Sequence, residues 1–215
     1  MSLEQLLRDK PQLHVWSDGR SASWAVSPEV LRFMHGVLKP RMRTLETGSG
    51  HTTVVFAIAG TDHVCVTPSK REPELISQYC ASIGIEPRIR FIERPSDEAL
   101  PEPQAVPQEL DFVFIDGAHR FPLPCIDFHY TESKIKVGGL LGVDDCSMPS
   151  VRLLHDFLEG EDEWRKVEQI GNTAFFERTR ETKIVSDWRG QQMNKAWQSK
   201  ARPGLLRRLG SRLGL

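Results

Sequence analysis

Leu45-Glu46-Thr47-Gly48-Ser49-Gly50-His51-Thr52 joins two runs of different period. Residues 41–46 read as a strand, and residues 52–59 put Val54, Val55 and Ile58 on one face of a helix. Glycines at such a junction let the backbone turn sharply and approach a ligand, while the helix N-terminus offers free N–H groups. A dinucleotide fingerprint would place a third glycine where Thr53 stands, and an acid at the end of the next strand. That strand, residues 63–67, runs instead into Thr67-Pro68-Ser69, so a nicotinamide enzyme is disfavoured.

The alternation continues outward. Upstream, Ser27-Pro28-Glu29 is a helix start, a capping serine followed by proline in the first turn. Val30, Leu31, Met34, Val37 and Leu38 then recur at helical spacing until Lys39-Pro40. Downstream come a helix over 72–83, a strand over 88–93, a strand over 112–115, a helix within 122–136, a strand over 140–143 and a helix over 151–158. Residues 94–108 contain Pro95, Pro101, Pro103 and Pro107 and read as a loop with neither helix nor central strand. Repeated β/α alternation implies an α/β, doubly wound, mostly parallel sheet. Gly171-Asn172 between strands 164–170 and 174–178 signals a hairpin that adds an antiparallel strand at one edge. The expected organisation is an irregular arm over 1–27, one domain over 28–180 and a basic tail over 181–215.

At 215 residues, 39% hydrophobic and 27% charged, the chain suits one soluble domain. Its net charge of −1 hides an asymmetry, since from Arg189 onward there are seven Lys/Arg and no acid. The tail places Leu205, Leu206, Leu209 and Leu213 on one helical face, suited to weak contact with an anionic membrane surface. Gly204, Gly210 and Gly214 weaken that helix and favour the other reading, a disordered, solvated tail. The acidic body offers no second basic surface, so no nucleic-acid partner is expected. Cys65, Cys80, Cys125 and Cys146 lack metal-type spacing, and Cys65 and Cys80 read as buried free thiols. No secretory leader or membrane span is evident, so a cytoplasmic protein is expected.

Two further stretches carry the chemistry. Asp111-Phe-Val-Phe-Ile-Asp116-Gly-Ala-His119 and Gly139-Leu-Leu-Gly-Val-Asp144-Asp145 are apolar strands ending in acids. Neighbouring parallel strands set their C-terminal ends side by side, outside which ligands bind. Asp116, Asp144 and Asp145 would repel one another there unless a cation or proton joined them. A hard divalent metal beside a base, His119, is one reading. In the other, Asp116 orders its loop or binds a cofactor amine, Asp145 caps the helix near Met148-Pro149, and His119 is a surface residue. Asp127 and His129 on the following helix suit satisfied structural roles, and His51 heads the first helix beside the glycines.

The glycine loop with its preceding acid, Glu46, resembles the first motif of class I S-adenosylmethionine-dependent methyltransferases, and the order of elements over roughly 28–180 resembles that fold. Asp116-x-x-His119 followed by Asp144-Asp145 is similar to the pattern in metal-dependent sugar O-methyltransferases of macrolide tailoring and in cephalosporin-hydroxylase-like relatives. The resemblance implies S-adenosylmethionine over Glu46, Gly48, Ser49 and Gly50. It implies Mg²⁺ on Asp116, Asp144 and Asp145, with His119 as base toward a small, sugar-like hydroxylated acceptor. The family's usual ribose-binding acid at the end of the second strand is missing, leaving Thr67 and Ser69 in its place; Ser96 and Asp97 fall on the adenine side, and Asp116 also adjoins the cofactor. Two rivals stay open: a metal-dependent enzyme of another class, hydroxylase-like, or a non-catalytic cofactor-binding module recruited to membranes by the tail. Trp16 and Trp24 in the arm suit packing over a second copy, as in a homo-oligomer.

Overall fold

In the computed structural model, residues 3–15, 21–22, 25–181 and 191–195 are described. Trp16, Trp24 and the leucine-bearing tail lie outside them. The N-terminal segment is not irregular. It forms helix α1 (Leu3–Asp9) and a small antiparallel pair, β1 (His14–Val15) with β2 (Ser21–Ala22). Leu3, Leu6 and Leu13 are buried, which gives the helix its reason to form.

Helix α2 (Pro28–Val37) starts as the sequence indicates. Ser27 Oγ accepts from the Val30 N–H at 3.4 Å, and Pro28 opens the first turn, where its missing N–H costs nothing. Then follow β3 (Arg43–Thr47), α3 (His51–Ile58), β4 (Asp62–Val66), α4 (Arg71–Ser82) and β5 (Ile89–Ile92). The proline-rich stretch contains one helical turn, α5 (Ser96–Ala99), contrary to the loop expected. Pro95 sits at its N-cap, where no N–H is needed, so the proline starts this turn instead of breaking it.

Next come β6 (Leu110–Ile115), α6 (Leu123–Thr131), β7 (Ile135–Val143), α7 (Pro149–Gly160), β8 (Trp164–Ile170) and β9 (Thr173–Arg178). The seven-stranded sheet has the order β5-β4-β3-β6-β7-β9-β8, parallel from β5 to β7, with the β7–β9 and β9–β8 pairs antiparallel. Aliphatic and aromatic side chains fill both faces. One buried cluster includes Leu45, Val113, Leu141, Leu154 and Phe176, and the other Leu6, Met34, Phe56, Phe112 and Phe175. From β3 the chain winds out to β5, then returns to the other side of β3 at β6. That reversal opens a crevice at the C-terminal ends of β3 and β6. No described helix is long and apolar enough to cross a membrane.

Candidate active site

The crevice holds a cavity of about 680 Å³, a size suited to a cofactor or small ligand. Gly48 forms its floor with φ +88°, and a Cβ there would lie 2.1 Å from the Asp116 carbonyl oxygen. Only glycine allows β3 and β6 to end this close. Two short ties hold the strand ends: Gly48 N–H donates to Val66 O at 2.9 Å, and Asp116 N–H to Thr47 O at 3.0 Å.

Gly48, Ser49, Thr67, Ser96, Asp97 and Asp116 line this cavity, as do His119, Asp144 and Asp145. Glu46, Gly50 and Ser69 do not. Glu46 is 1% exposed, and its oxygens accept from Thr52 Oγ1 at 2.8 Å and from Thr53 Oγ1, with His63 Nε2 3.1 Å away. It pins the start of α3 to the end of β3, outside the cavity lining. Thr53, at the absent third glycine, also accepts the Gly50 N–H at 2.9 Å. Gly50 faces the arm, where a Cβ would come 2.6 Å from His14 Nε2. Ser69 Oγ accepts from the Glu72 N–H at 3.1 Å and so serves the start of α4. His51 Nε2 sits 2.9 Å from Pro11 O.

At the far end of the cavity His119 stands between two carboxylates. Its Nε2 is 3.4 Å from Asp145 Oδ2 and 3.6 Å from Asp116 Oδ1, close enough for charge attraction but too long for good hydrogen bonds. Ser150 Oγ donates to the His119 carbonyl at 2.5 Å, tying this loop to α7. Thr173, at the start of β9, hydrogen-bonds Asp144 Oδ1. Asp145 takes φ +55°, an uncommon backbone for a non-glycine residue, and its side chain does not cap α7. Burial pushes the Asp116 carboxyl up to about 7, with Asp144 adding to the rise and His119 opposing it. Burial also raises Asp144, against the Thr173 hydrogen bond. The Asp116 carboxylate raises His119 above its ordinary value, against burial. The cluster therefore carries more negative charge than its surroundings solvate, and a cation or proton would relieve it.

Three carboxylates suit a hard divalent cation. Among the described residues, however, no trio drawn from Asp116, His119, Asp144 and Asp145 has its ligand atoms within 4.8 Å of one another. The donor chemistry fits a cation, but the set is open, with the imidazole standing in the gap. Two tighter groups lie elsewhere. Glu46–His63–Cys65 adds the buried Cys65 to the Glu46–His63 contact of the pin, and His155–Asp156–Glu159 is largely exposed, with Glu159 paired to Lys166.

Sequence reading missed Glu72, which lines the cavity from the first turn of α4, and His14, which reaches it from the arm. It also missed Thr173. The only signal available for Glu72 was an acid about 20 residues beyond a glycine loop, as in nucleotide-binding βαβ units.

The sheet order, the closing hairpin and a glycine loop at the switch point are together the class I methyltransferase fold, that of the S-adenosylmethionine-dependent enzymes. Residues 45–146, from β3 through the acidic pair, match the family model of a methyltransferase domain. The O-methyltransferase TomG from Streptomyces achromogenes, solved with S-adenosylmethionine, superposes with a TM-score of 0.63 at 20% identity over 82% of this chain and 90% of its own. An O-methyltransferase from Bacillus cereus, solved with S-adenosylhomocysteine, gives 0.63 at 14% identity over 83% and 90%. An rRNA methylase from Streptococcus thermophilus gives 0.57 at 14% identity over 74% and 100%. Acceptors this different on one fold mean that the site, and not the fold, must identify the acceptor. No curated protein sequence matches the chain.

Proposed function

We propose that the protein is an S-adenosylmethionine-dependent, Mg²⁺-dependent O-methyltransferase acting on a hydroxyl of a small sugar-like or glycosylated metabolite. The observation that carries this reading is one cavity with a glycine floor at Gly48 and a base among carboxylates, His119 with Asp116 and Asp145. TomG and the Bacillus cereus enzyme, of the same fold, hold the methyl donor and its product.

Transfer to oxygen needs the acceptor hydroxyl in line with the sulfonium methyl and needs its proton removed as the C–O bond forms. The C–S pair stays on sulfur, leaving S-adenosylhomocysteine, and the hydroxyl proton passes to His119 Nε2. Asp116 and Asp145 favour the resulting imidazolium, and Ser150 holds the loop that carries it. Asp116, Asp144 and Asp145 are the residues that would hold Mg²⁺, which would lower the pKa of a bound hydroxyl and so let a modest base suffice.

Calorimetric titration of S-adenosylmethionine and S-adenosylhomocysteine, with Mg²⁺ and with chelator, tests this directly. Both should bind, and a separate Mg²⁺ isotherm should vanish in Asp144→Ala/Asp145→Ala. Absence of binding at high micromolar cofactor would overturn the reading. His119→Ala should abolish transfer of a labelled methyl to the acceptor while cofactor affinity stays within about 3-fold. Joint loss of both would make His119 structural. Acceptor turnover without movement of the label would mark a metal enzyme of another class.

A further inference from the structure

The wall of the cavity away from His119 contains a carboxylate that neither the fold nor the proposed reaction accounts for. Glu72 stands 22 residues past Gly50, in the first turn of α4, and its side chain is 10% exposed. Its two oxygens are held separately. His14 Nδ1 lies 3.2 Å from Oε1, and Ser49 Oγ hydrogen-bonds Oε2. Ser49 in turn shares a 3.1 Å hydrogen bond with Thr67 Oγ1, which accepts from the Ser69 N–H at 3.3 Å. The small hydroxyls at the end of β4 are thus committed to orienting Glu72. A carboxylate offers about four acceptor positions. With one per oxygen used by His14 and Ser49, one per oxygen remains on a side chain that lines the cavity.

Two adjacent acceptors on one rigid carboxylate match two adjacent hydroxyls. We propose that Glu72 receives the vicinal ribose hydroxyls of the bound cofactor, and that His14, delivered by the N-terminal segment, is its positioning residue. This rests on the cofactor reading above and adds where the sugar is gripped and by what. The acid absent from the end of β4 is replaced one helical turn later, beneath a histidine from 58 residues upstream. Gly50 belongs to the same device, since a side chain there would displace the His14 ring. The segment that brings His14 is fastened at two more points. Pro11 O meets His51 Nε2 at 2.9 Å, and Asp9 Oδ2 accepts from Tyr79 Oη at 3.0 Å.

The test is a thermodynamic cycle on the full chain, using S-adenosylhomocysteine and its 3′-deoxyribose counterpart as calorimetric probes. Wild type should bind the deoxy compound about 10- to 100-fold more weakly, as expected for a hydrogen bond to a charged group. In Glu72→Gln the parent compound should weaken by a similar factor, with removal of the hydroxyl then costing under about 3-fold. His14→Ala should give an intermediate loss and an intermediate hydroxyl penalty, because the carboxylate remains but is no longer oriented. Equal affinity of wild type for the two probes would overturn the proposal without any variant. So would an undiminished penalty in Glu72→Gln, or a penalty that disappears in Asp97→Asn instead. Failure of wild type to bind S-adenosylhomocysteine at all is a different result, and overturns the cofactor reading itself.

Discussion

Asp127 lies in α6 with no surface exposure, and both carboxylate oxygens lack a hydrogen-bond partner among the described residues. Thr47 Oγ1 is in the same condition. A satisfied helix residue was the simpler sequence reading, and the structure corrects it. Burial pushes this carboxyl up to about 6 from its ordinary 3.8, and the nearby Ser96 and Thr47 hydroxyls, which miss good hydrogen-bond geometry to it, offset that rise only in part. Between those values the folded state keeps a proton that the unfolded chain has released, so this group's contribution to stability falls as pH rises from 4 to 6 and stays low above. Asp127→Asn should therefore be more stable than wild type at pH 7.5, by up to about 3 kcal/mol. The advantage should shrink toward pH 4. Urea denaturation at both pH values measures it, and a variant equally destabilised at both would mean that a partner holds the ionised form. Gly48→Ala should act in the opposite direction. Its Cβ would meet the Asp116 carbonyl, so binding of S-adenosylhomocysteine should be lost, with a stability cost of about 1–3 kcal/mol. Calorimetry and a melting curve read the two effects separately.

At the scale of elements, most of the sheet was legible because each run carries its own period and its own ends. Ser27-Pro28 marks α2, and Gly171-Asn172 marks the turn between β8 and β9, where Gly171 takes φ +57°. The apolar run marks a strand from residue 140, yet β7 begins at Ile135. Its Gly138-Gly139 pair looks like a loop, but Gly138 takes φ +81° beside a register shift against β6, so the glycines serve an irregularity inside a strand. The acids at the ends of β6 and β7 were legible because a charge ending an apolar strand is conspicuous. Thr173 was not, since nothing local marks a threonine whose partner, Asp144, is 29 residues away. His14 and Glu72 were hidden for the same reason. The hairpin thus does more than close the sheet edge; it delivers the hydroxyl that orients a proposed metal ligand. Thr173→Val keeps the shape and removes that donor. It should weaken the Mg²⁺ isotherm about 10-fold, with S-adenosylhomocysteine affinity and melting temperature near wild type. Unchanged Mg²⁺ binding would leave Thr173 a strand residue only.

Across the whole molecule, the N-terminal segment joins stability to the cavity above Gly48. Leu3, Leu6 and Leu13 are buried in the cluster that also holds Val30, Met34 and Phe56, so the segment completes one face of the sheet. His14 follows directly, at the cavity wall. Leu6 is 1% exposed, and Leu6→Ala should cost about 2–5 kcal/mol, lowering the melting temperature by roughly 4–20 °C for a chain of this size. Ligand binding offers a second readout. Cofactor at 100 times its dissociation constant stabilises the fold by about 2.7 kcal/mol when it binds only the native state. If the segment merely fills the core, the same free concentration of S-adenosylhomocysteine should raise the melting temperature of wild type and Leu6→Ala equally. If it also holds His14 against Glu72, loosening α1 lowers cofactor affinity, and the rise should be smaller in the variant. The smaller rise is the expected result. Because His14→Ala removes the ring while leaving the buried leucines in place, it should reproduce that smaller rise with little change in the unliganded melting temperature.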